Sequence, residues 1–442
     1  MWQGLRNILS ATLRSCLLTI AFLGAWWLRP SYPEGLRPPP EPYFLGFLIA
    51  VPIAVALLCW LLLGLRGLGA ALRDARRWLL LIGALLVAWT LLSPSWARYA
   101  DVAGSSALQF LAAAAVGLVA LCTPLSARAL IGALAAGALV QSVVVIGQMA
   151  LQDDLGLRAL GELNLYAGRQ GLSVLQADGA RLLRPYGLSV HPNVVGGYLA
   201  VSLLAMSAWL PDTCRAWRHV VRALTFALCL WALCLTFSRA AWIACIITAG
   251  GLSFWTVRRG VWQWRRTLCA GALGALIVAT FSFAYAPFLQ ARAGIRDESV
   301  EQISVAQRGI FIAFAWQIIE RYPIAGTGIG TFAWEARDLL VKSPYRGLLR
   351  AENVHSVPLL ILSELGAVGM VLWSALLAAW ARIAWHNRRD CGQLALAAGA
   401  CALFLIGIVD FYPLGIFSMH CLWLLLMAAS AQPSSLDSGQ RG

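Results

Sequence analysis

The chain has 442 residues, 60% of them hydrophobic and only 12% charged, with 20 tryptophans and a mean hydropathy of +0.73. Soluble globular domains carry about twice that share of charged residues, so this composition excludes a cytosolic enzyme. The formal net charge is +14, and its charges fall in the gaps between apolar stretches, which makes charge a question of membrane topology.

A helix needs about 20 apolar residues to cross a bilayer. On that measure the sequence predicts an all-α, polytopic membrane protein of about 12 transmembrane helices, near residues 15–28, 44–65, 78–92, 106–123, 130–150, 192–210, 223–237, 240–256, 267–289, 356–381, 393–409 and 414–430. The first apolar run leads into the second without a small-residue cleavage site, so no cleavable signal peptide is expected. Arg37-Pro38-Pro39-Pro40-Glu41-Pro42 reads as an extended loop. The break between the seventh and eighth helices rests on one charge, in Phe237-Ser238-Arg239.

Residues 1–430 form a single integral-membrane domain on this reading. Two long polar segments interrupt it, 151–191 and 290–354, and a short tail follows at 431–442. The larger segment lies between helices nine and ten and is partly helical. From Val305 to Tyr322, the residues Ile310, Phe311, Phe314 and Ile318 share one face at about 100° per residue, which predicts an amphipathic helix with Arg308 on its flank. Pro323 stops that helix, and Gly326, Gly328 and Gly330 are expected to form a flexible turn.

Orientation follows from the short loops, because cytoplasmic loops are enriched in basic residues. With the N-terminus inside, 18 of the 34 basic residues fall in inside gaps and four (Arg29, Arg37, Arg98 and Arg239) in short outside gaps. Both termini and the tail are then inside, and both long segments outside. The positive charge reads as topology and contact with anionic membrane lipids, not as nucleic-acid binding. None of the 11 cysteines lies in the two long segments, so no disulfide-stapled or zinc-bearing domain is expected there.

Four places put polar groups at outside helix ends. They are Arg184-Pro185-Tyr186-Gly187-Leu188-Ser189-Val190-His191-Pro192-Asn193; Thr236-Phe237-Ser238-Arg239-Ala240-Ala241-Trp242; Gln307-Arg308 with the glycine turn behind it; and Glu352-Asn353-Val354-His355, followed by Ser363-Glu364-Leu365-Gly366. Arginines near hydrocarbon need anionic partners, and guanidinium forks match phosphate oxygens in bidentate geometry. Arg239 beside Ser238 also sits at a helix start, where free N–H groups attract anions. His355 can accept a proton near neutral pH and deprotonate a hydroxyl, and His191 is a second candidate. Bland readings stand beside these. Arg239 can simply snorkel, a membrane-edge histidine can be an interfacial hydrogen-bonding group, and Glu364 and Asp410 can pair helices.

The glycine run is no dinucleotide fingerprint, since no strand precedes it and no βαβ unit contains it. With no His-Glu-x-x-His, Cys-x-x-Cys or Asp-x-Asp pattern, no metal and no cofactor are expected.

Taken together and in order, the motifs resemble the O-antigen ligase and O-antigen polymerase superfamily of bacterial membrane glycosyltransferases. The residues carrying the resemblance are Arg184 with Gly187 and His191-Pro192-Asn193; Thr236-x-Ser238-Arg239-x-x-Trp242; Arg308 with Pro323 and Gly326-x-Gly328-x-Gly330-Thr331-Phe332; and His355 with Glu364-x-Gly366. Where many relatives read His-Asn, this chain reads His355-Ser356, with Asn353 ahead of the histidine.

The resemblance implies a multi-pass protein of the bacterial inner membrane, acting at its periplasmic face. It implies transfer of a glycan from an undecaprenyl diphosphate donor to the hydroxyl of a lipid or glycan acceptor, without metal or nucleotide. By the same resemblance His355 is the general base, and Arg239 and Arg308, with Arg184, bind the diphosphate. His191, Asn193, Ser238, Asn353 and Glu364 support the site. A ligase joining glycan to a lipid core is favoured, with a polymerase of lipid-linked repeat units and a protein O-oligosaccharyltransferase as alternatives, since fold and donor site do not fix the acceptor. From a different class, a lipid-linked glycan transporter would place charges near the bilayer midplane and repeat its halves; neither is seen here.

Overall fold

The computed structural model describes residues 2–27, 48–166, 168–169, 171–210, 216–260, 264–293 and 299–433, with side chains from 306 onward in the last stretch. The expected loop at 37–42 and the tail from 434 lie outside them. The chain runs through α1 (Trp2–Phe22), α2 (Ala50–Leu62), α3 (Leu68–Arg73), α4 (Arg77–Leu92), α5 (Ala100–Cys122) and α6 (Ala127–Leu151) before a short antiparallel hairpin, β1 (Val174–Ala177) and β2 (Ala180–Leu183). Then come α7 (Pro192–Met206), α8 (Ala216–Leu235), α9 (Arg239–Arg258), α10 (Trp264–Ala284), α11 (Ala286–Arg292), α12 (Ser299–Arg321), α13 (Phe332–Val341), α14 (Val357–His386), α15 (Cys391–Val409), α16 (Tyr412–Gly415) and α17 (Phe417–Ser430).

Among the described residues, nine helical stretches are long and apolar enough to cross a membrane, and α2 and α17 are apolar but shorter. α1, carrying Arg6 and Arg14, is not among the nine and begins well before the predicted 15–28. The protein is thus a mostly helical, multi-pass membrane protein. The expectation of an all-α chain fails at one place, the hairpin inside 151–191. Its two-residue turn is Asp178-Gly179, both with positive φ (53° and 76°), the conformation a tight hairpin needs and that Asp-Gly supplies cheaply.

The break inferred from one charge is real. α8 ends at Leu235, Phe237 takes a left-handed conformation (φ 51°), and Ser238 stands at the N-cap position of α9 without a side-chain capping bond. Burial of the Phe237 ring among Trp242, Phe281 and Tyr285 offsets the strain of that conformation. The predicted amphipathic helix is α12. Phe311, Phe314 and Ile318, with Ala315, pack against Phe332, Ala336 and Leu340 of α13 and against Val354 and Leu360. α12 therefore lies on the helix bundle.

The glycine turn behind α12 is not a flexible one. α14 breaks at Gly366 (φ 66°, ψ −166°), which frees backbone groups, and the turn fills the break. Thr327 and Gly328 N–H donate to the carbonyls of Ser363 and Glu364 (3.0 and 2.8 Å), while Ala367 and Val368 N–H donate to those of Pro323 and Ile324 (2.9 and 3.3 Å). Irregular backbone survives in a membrane protein only when another part of the protein satisfies it in this way. Glycine is required on both sides: a Cβ on Gly366 would sit 2.1 Å from the Ile324 carbonyl oxygen, and one on Gly326 would sit 2.3 Å from the Glu364 carbonyl carbon.

α7 is buried along its whole length and forms the axis of the bundle. At one end of the bundle, Gln432 donates to the carbonyls of Ala120 and Thr123 (both 2.6 Å), Asn387 donates to those of Ser430 and Gln432 (3.1 and 2.8 Å), and Arg76 donates to Leu121 (2.8 Å). These bonds tie the C-terminal ends of α5, α14 and α17 to the start of α4. The opposite end of α14 opens just after His355, beside the polar cluster described next.

Candidate active site

The cluster is organised by the start of α7. His191 caps that helix, its Nδ1 accepting from Asn193 N–H at 3.1 Å, and Pro192 fills the first helical position, where no N–H is needed. Asn193 is thereby fixed and bridges two charged groups. Its Oδ1 accepts from Arg184 Nη2 (2.8 Å), and its Nδ2 donates to Asp410 Oδ2 (2.9 Å).

Asp410, 4% exposed, terminates α15. Its Oδ1 lies 3.2 Å from His355 Nδ1 and accepts from Phe411 N–H at 2.9 Å. Burial alone would raise this carboxyl, but the hydrogen bonds from His355 and Asn193 hold it below its ordinary value. An ionised Asp410 can only accept hydrogen bonds, so in the neutral imidazole of His355 the proton belongs on Nδ1 and the lone pair on Nε2. The nearest acidic group to Nε2 is the exposed Glu352, at 3.9 Å. The His355 ring is half-buried and meets Phe411 edge-on, at 5.5 Å between centroids. A half-exposed imidazole oriented by a buried carboxylate is the arrangement of a general base.

The other expected site residues fall around this line. Arg184 is 2% exposed and gives Nε to the Thr236 carbonyl (2.9 Å) and Nη1 to Ser173 Oγ (2.7 Å), besides its bond to Asn193. It welds the hairpin, the α8–α9 break and the α7 start into one unit. His191 is pushed down to about 3, by burial first and then by the Arg184 charge, so it stays neutral at physiological pH and serves as a cap. Arg239 is half-buried at the first turn of α9, and its Nη1 donates to the Arg292 carbonyl at 2.8 Å. Because Arg292 is the last residue of α11, this bond ties the end of α11 to the start of α9. Ser238 Oγ is buried and finds no hydrogen-bond partner among the described residues.

Arg308 is half-buried and makes no hydrogen bond or ion pair among the described residues. It precedes Phe311 by three residues and Ala315 by seven, so at 100° per residue it continues the face that packs beside Val354 and Phe411. Those two residues are the chain neighbours of His355 and Asp410. Glu364 and Asn353 stand one layer deeper. The Glu364 carboxylate accepts from the N–H groups of Gly330 and Phe332 (3.1 Å for Phe332), anchoring the start of α13. Both line a cavity of about 110 Å³ with Ser106, Gln109 and His420, and Asn353 Oδ1 has no hydrogen-bond donor among the described residues. Among the described residues, no three His, Cys, Asp or Glu side chains converge as a metal-binding group.

The sequence allows Asp410 either a helix-pairing or a site-supporting role, with pairing favoured, and offers no pointer to Arg292. For Asp410 a signal existed: Asp410-Phe411-Tyr412-Pro413 interrupts an apolar run with a charge and a helix breaker. Two buried amides on α6 also went unnoticed. Gln148 accepts from Tyr186 and Gly187 N–H (2.9 and 2.8 Å) and Gln141 accepts from Leu188 N–H (2.9 Å), holding the loop that leads into α7.

Residues 224–374 match the model of a protein family described as O-antigen ligase. The match takes in three of the four motifs, those at 236–242, 308–332 and 355–366, and bears out over that stretch the resemblance read from the sequence. The Arg184-to-Asn193 motif lies ahead of it. A comparison with curated proteins found no match.

Proposed function

We propose that this protein is a glycosyltransferase that moves a glycan from undecaprenyl diphosphate to an acceptor hydroxyl, as a ligase of the lipid A-core type, in surface polysaccharide synthesis. The observation that carries this reading is the buried Asp410 held against His355 Nδ1 at 3.2 Å, at the bundle end where Arg239 and Arg308 also stand. His355 Nε2 takes the proton of the acceptor hydroxyl as its oxygen attacks the anomeric carbon. The bond from that carbon to the phosphate oxygen breaks, and undecaprenyl diphosphate leaves with the electron pair. A single displacement of this kind inverts the anomeric centre. Arg239 and Arg308 offset the charge that builds on the departing diphosphate, an effect typically worth a few kcal/mol per donor, and the base contributes about 10²- to 10⁴-fold. Arg184 acts from behind, fixing Asn193 and through it Asp410.

The topology that fits this chemistry has twelve crossings of the bacterial inner membrane. Arg76, Arg128, Arg258, Arg382 and their basic neighbours lie at helix ends opposite the site, which supports reading that end as cytoplasmic and the site as periplasmic. Polymerases of lipid-linked repeats and protein O-oligosaccharyltransferases share the donor chemistry, so phenotype separates them. A deletion strain of a ligase accumulates finished lipid-linked polymer, and that of a polymerase accumulates single repeats. At matched expression, His355→Ala and Arg239→Ala are expected to abolish complementation. Transfer near the wild-type level in either variant overturns the assigned roles.

A further inference from the structure

The glycine segment that lines the Glu364 cavity with Ile329 and Gly330 presents Gly326 and Thr327 to a second, larger cavity. Its volume is about 380 Å³, and its walls include Trp96, Arg98, Tyr322, Ile324 and Glu335, a size within the ~300–1,000 Å³ range of small-molecule sites. No role in the transfer chemistry has been given to any of these five residues.

Glu335 is the informative one. It is only 8% exposed, yet its carboxylate makes no hydrogen bond or ion pair among the described residues. Its neighbour Asp338 takes the partners instead, Arg98 at 2.6 Å and the Tyr99 hydroxyl at 2.7 Å. The Glu335 oxygens are not sealed in the protein but reach the cavity, where their acceptor sites are open to a donor that enters. Around it the rings of Trp96 (36% exposed) and Tyr322 (41% exposed) remain open to the cavity, and Trp96 is braced from behind by Trp89, at 4.9 Å between centroids.

We propose that this cavity is a saccharide subsite, in which a neutral or amino sugar stacks on Trp96 and Tyr322 and donates its hydroxyls to Glu335. An acyl chain would leave the carboxylate unsatisfied. A phosphate would be repelled by it, and a simple cation would meet Arg98. A sugar ring matches all three features, with an apolar face for the aromatic rings and several hydroxyl donors for one carboxylate. Burial raises the Glu335 carboxyl while Arg98 opposes the rise, in keeping with a group that waits for donors. The subsite would hold a sugar unit away from the reacting one. It rests on the reading of the protein as a glycan transferase.

The test uses the full chain in nanodiscs and oligosaccharide released by mild acid from the producing cells' own surface polysaccharide, read by saturation-transfer difference NMR. Sugar proton signals are expected with wild type and should weaken about tenfold in Glu335→Leu, the factor that corresponds to one charge-assisted hydrogen bond. Trp96→Leu should weaken them as well. Glu335→Leu should also keep Tm at or above the wild-type value, because the carboxylate has no hydrogen bond among the described residues to lose, which separates lost binding from lost folding. Equal signals in all three proteins, or saturation passing only to nanodisc phospholipid, overturn the subsite. The reading of the reaction fails on a different result: transfer that survives His355→Ala, whatever the binding shows.

Discussion

Replacing Asp410 by asparagine isolates what the carboxylate does for His355, because the side chain keeps its shape. In the native site Oδ1 serves His355 Nδ1 and the Phe411 N–H, while Oδ2 accepts from Asn193 Nδ2. An amide offers one oxygen and one NH2 group. If the oxygen stays on the histidine side, the NH2 meets Asn193 Nδ2 donor to donor. If it turns, the NH2 donates to His355 Nδ1 and drives the imidazole proton onto Nε2, the atom that must be empty to act as base. Either way the imidazolium formed during reaction loses its counter-charge. At the 3.2 Å separation and an effective dielectric of about 20, that attraction is at most roughly 5 kcal/mol, and a lost charge-assisted hydrogen bond costs about 1.5–3 kcal/mol. At ~1.4 kcal/mol per decade, turnover should fall about 10²- to 10³-fold. The assay is transfer from purified lipid-linked glycan by the protein in nanodiscs, with kcat and KM separated. KM for the donor should change little, since the diphosphate is assigned to Arg239 and Arg308. Asp410→Asn turning over at the wild-type rate, with a folded Tm, refutes the orienting role and with it the choice of His355 as base.

Arg184→Lys keeps the charge but not the three-way fork to Thr236, Ser173 and Asn193; it should lower stability by about 2–4 kcal/mol, seen as a drop in Tm, with activity falling in step as Asn193 loosens. Gly366→Ala forces a Cβ to 2.1 Å from the Ile324 oxygen at a left-handed residue, and the expected outcome is a large loss of folded protein by size-exclusion chromatography; wild-type yield and Tm would show that the α14 break is not needed. His191 gives a pH dependence. Its folded value near 3 lies below the unfolded value of about 6.5, so the unfolded chain binds the extra proton, and stability, full above about pH 6.5, declines as pH falls toward 3. The slope cannot exceed about 1.4 kcal/mol per pH unit. Thermal denaturation between pH 7 and 5 should show this decline in wild type and a shallower one in His191→Asn, whose side-chain oxygen can still cap α7; parallel curves would count against it.

Local features were legible where one short-range rule governs them. The stop at Pro323, the apolar face of α12 and the helix break at Ser238-Arg239 each depend on neighbours within a turn or two of helix. The hairpin is equally local, since Asp178-Gly179 is a turn signal, but its strands are too short and too polar to stand out as apolar runs. The count of crossings was harder. α1 and α17 depart from the length and apolarity of an ordinary span because Arg6 and Arg14 fall within the one and the 410–416 interruption shortens the other.

What composition and periodicity determined by themselves is the membrane helices, the segments that leave the bundle, and the arginines and histidine that stand at helix ends. Those follow from hydrocarbon excluding charge and from the 3.6-residue repeat, which any stretch of chain feels alone. The partners were decided only in three dimensions. Asp410 lies 55 residues from His355 and 217 from Asn193 along the chain, and nothing within reach of a local rule says that the end of α15 will meet the start of α7. The glycine turn shows the same limit. Read alone it is loose, because glycine permits many conformations; against the broken α14 it is fixed, because unsatisfied backbone groups in a membrane must find each other.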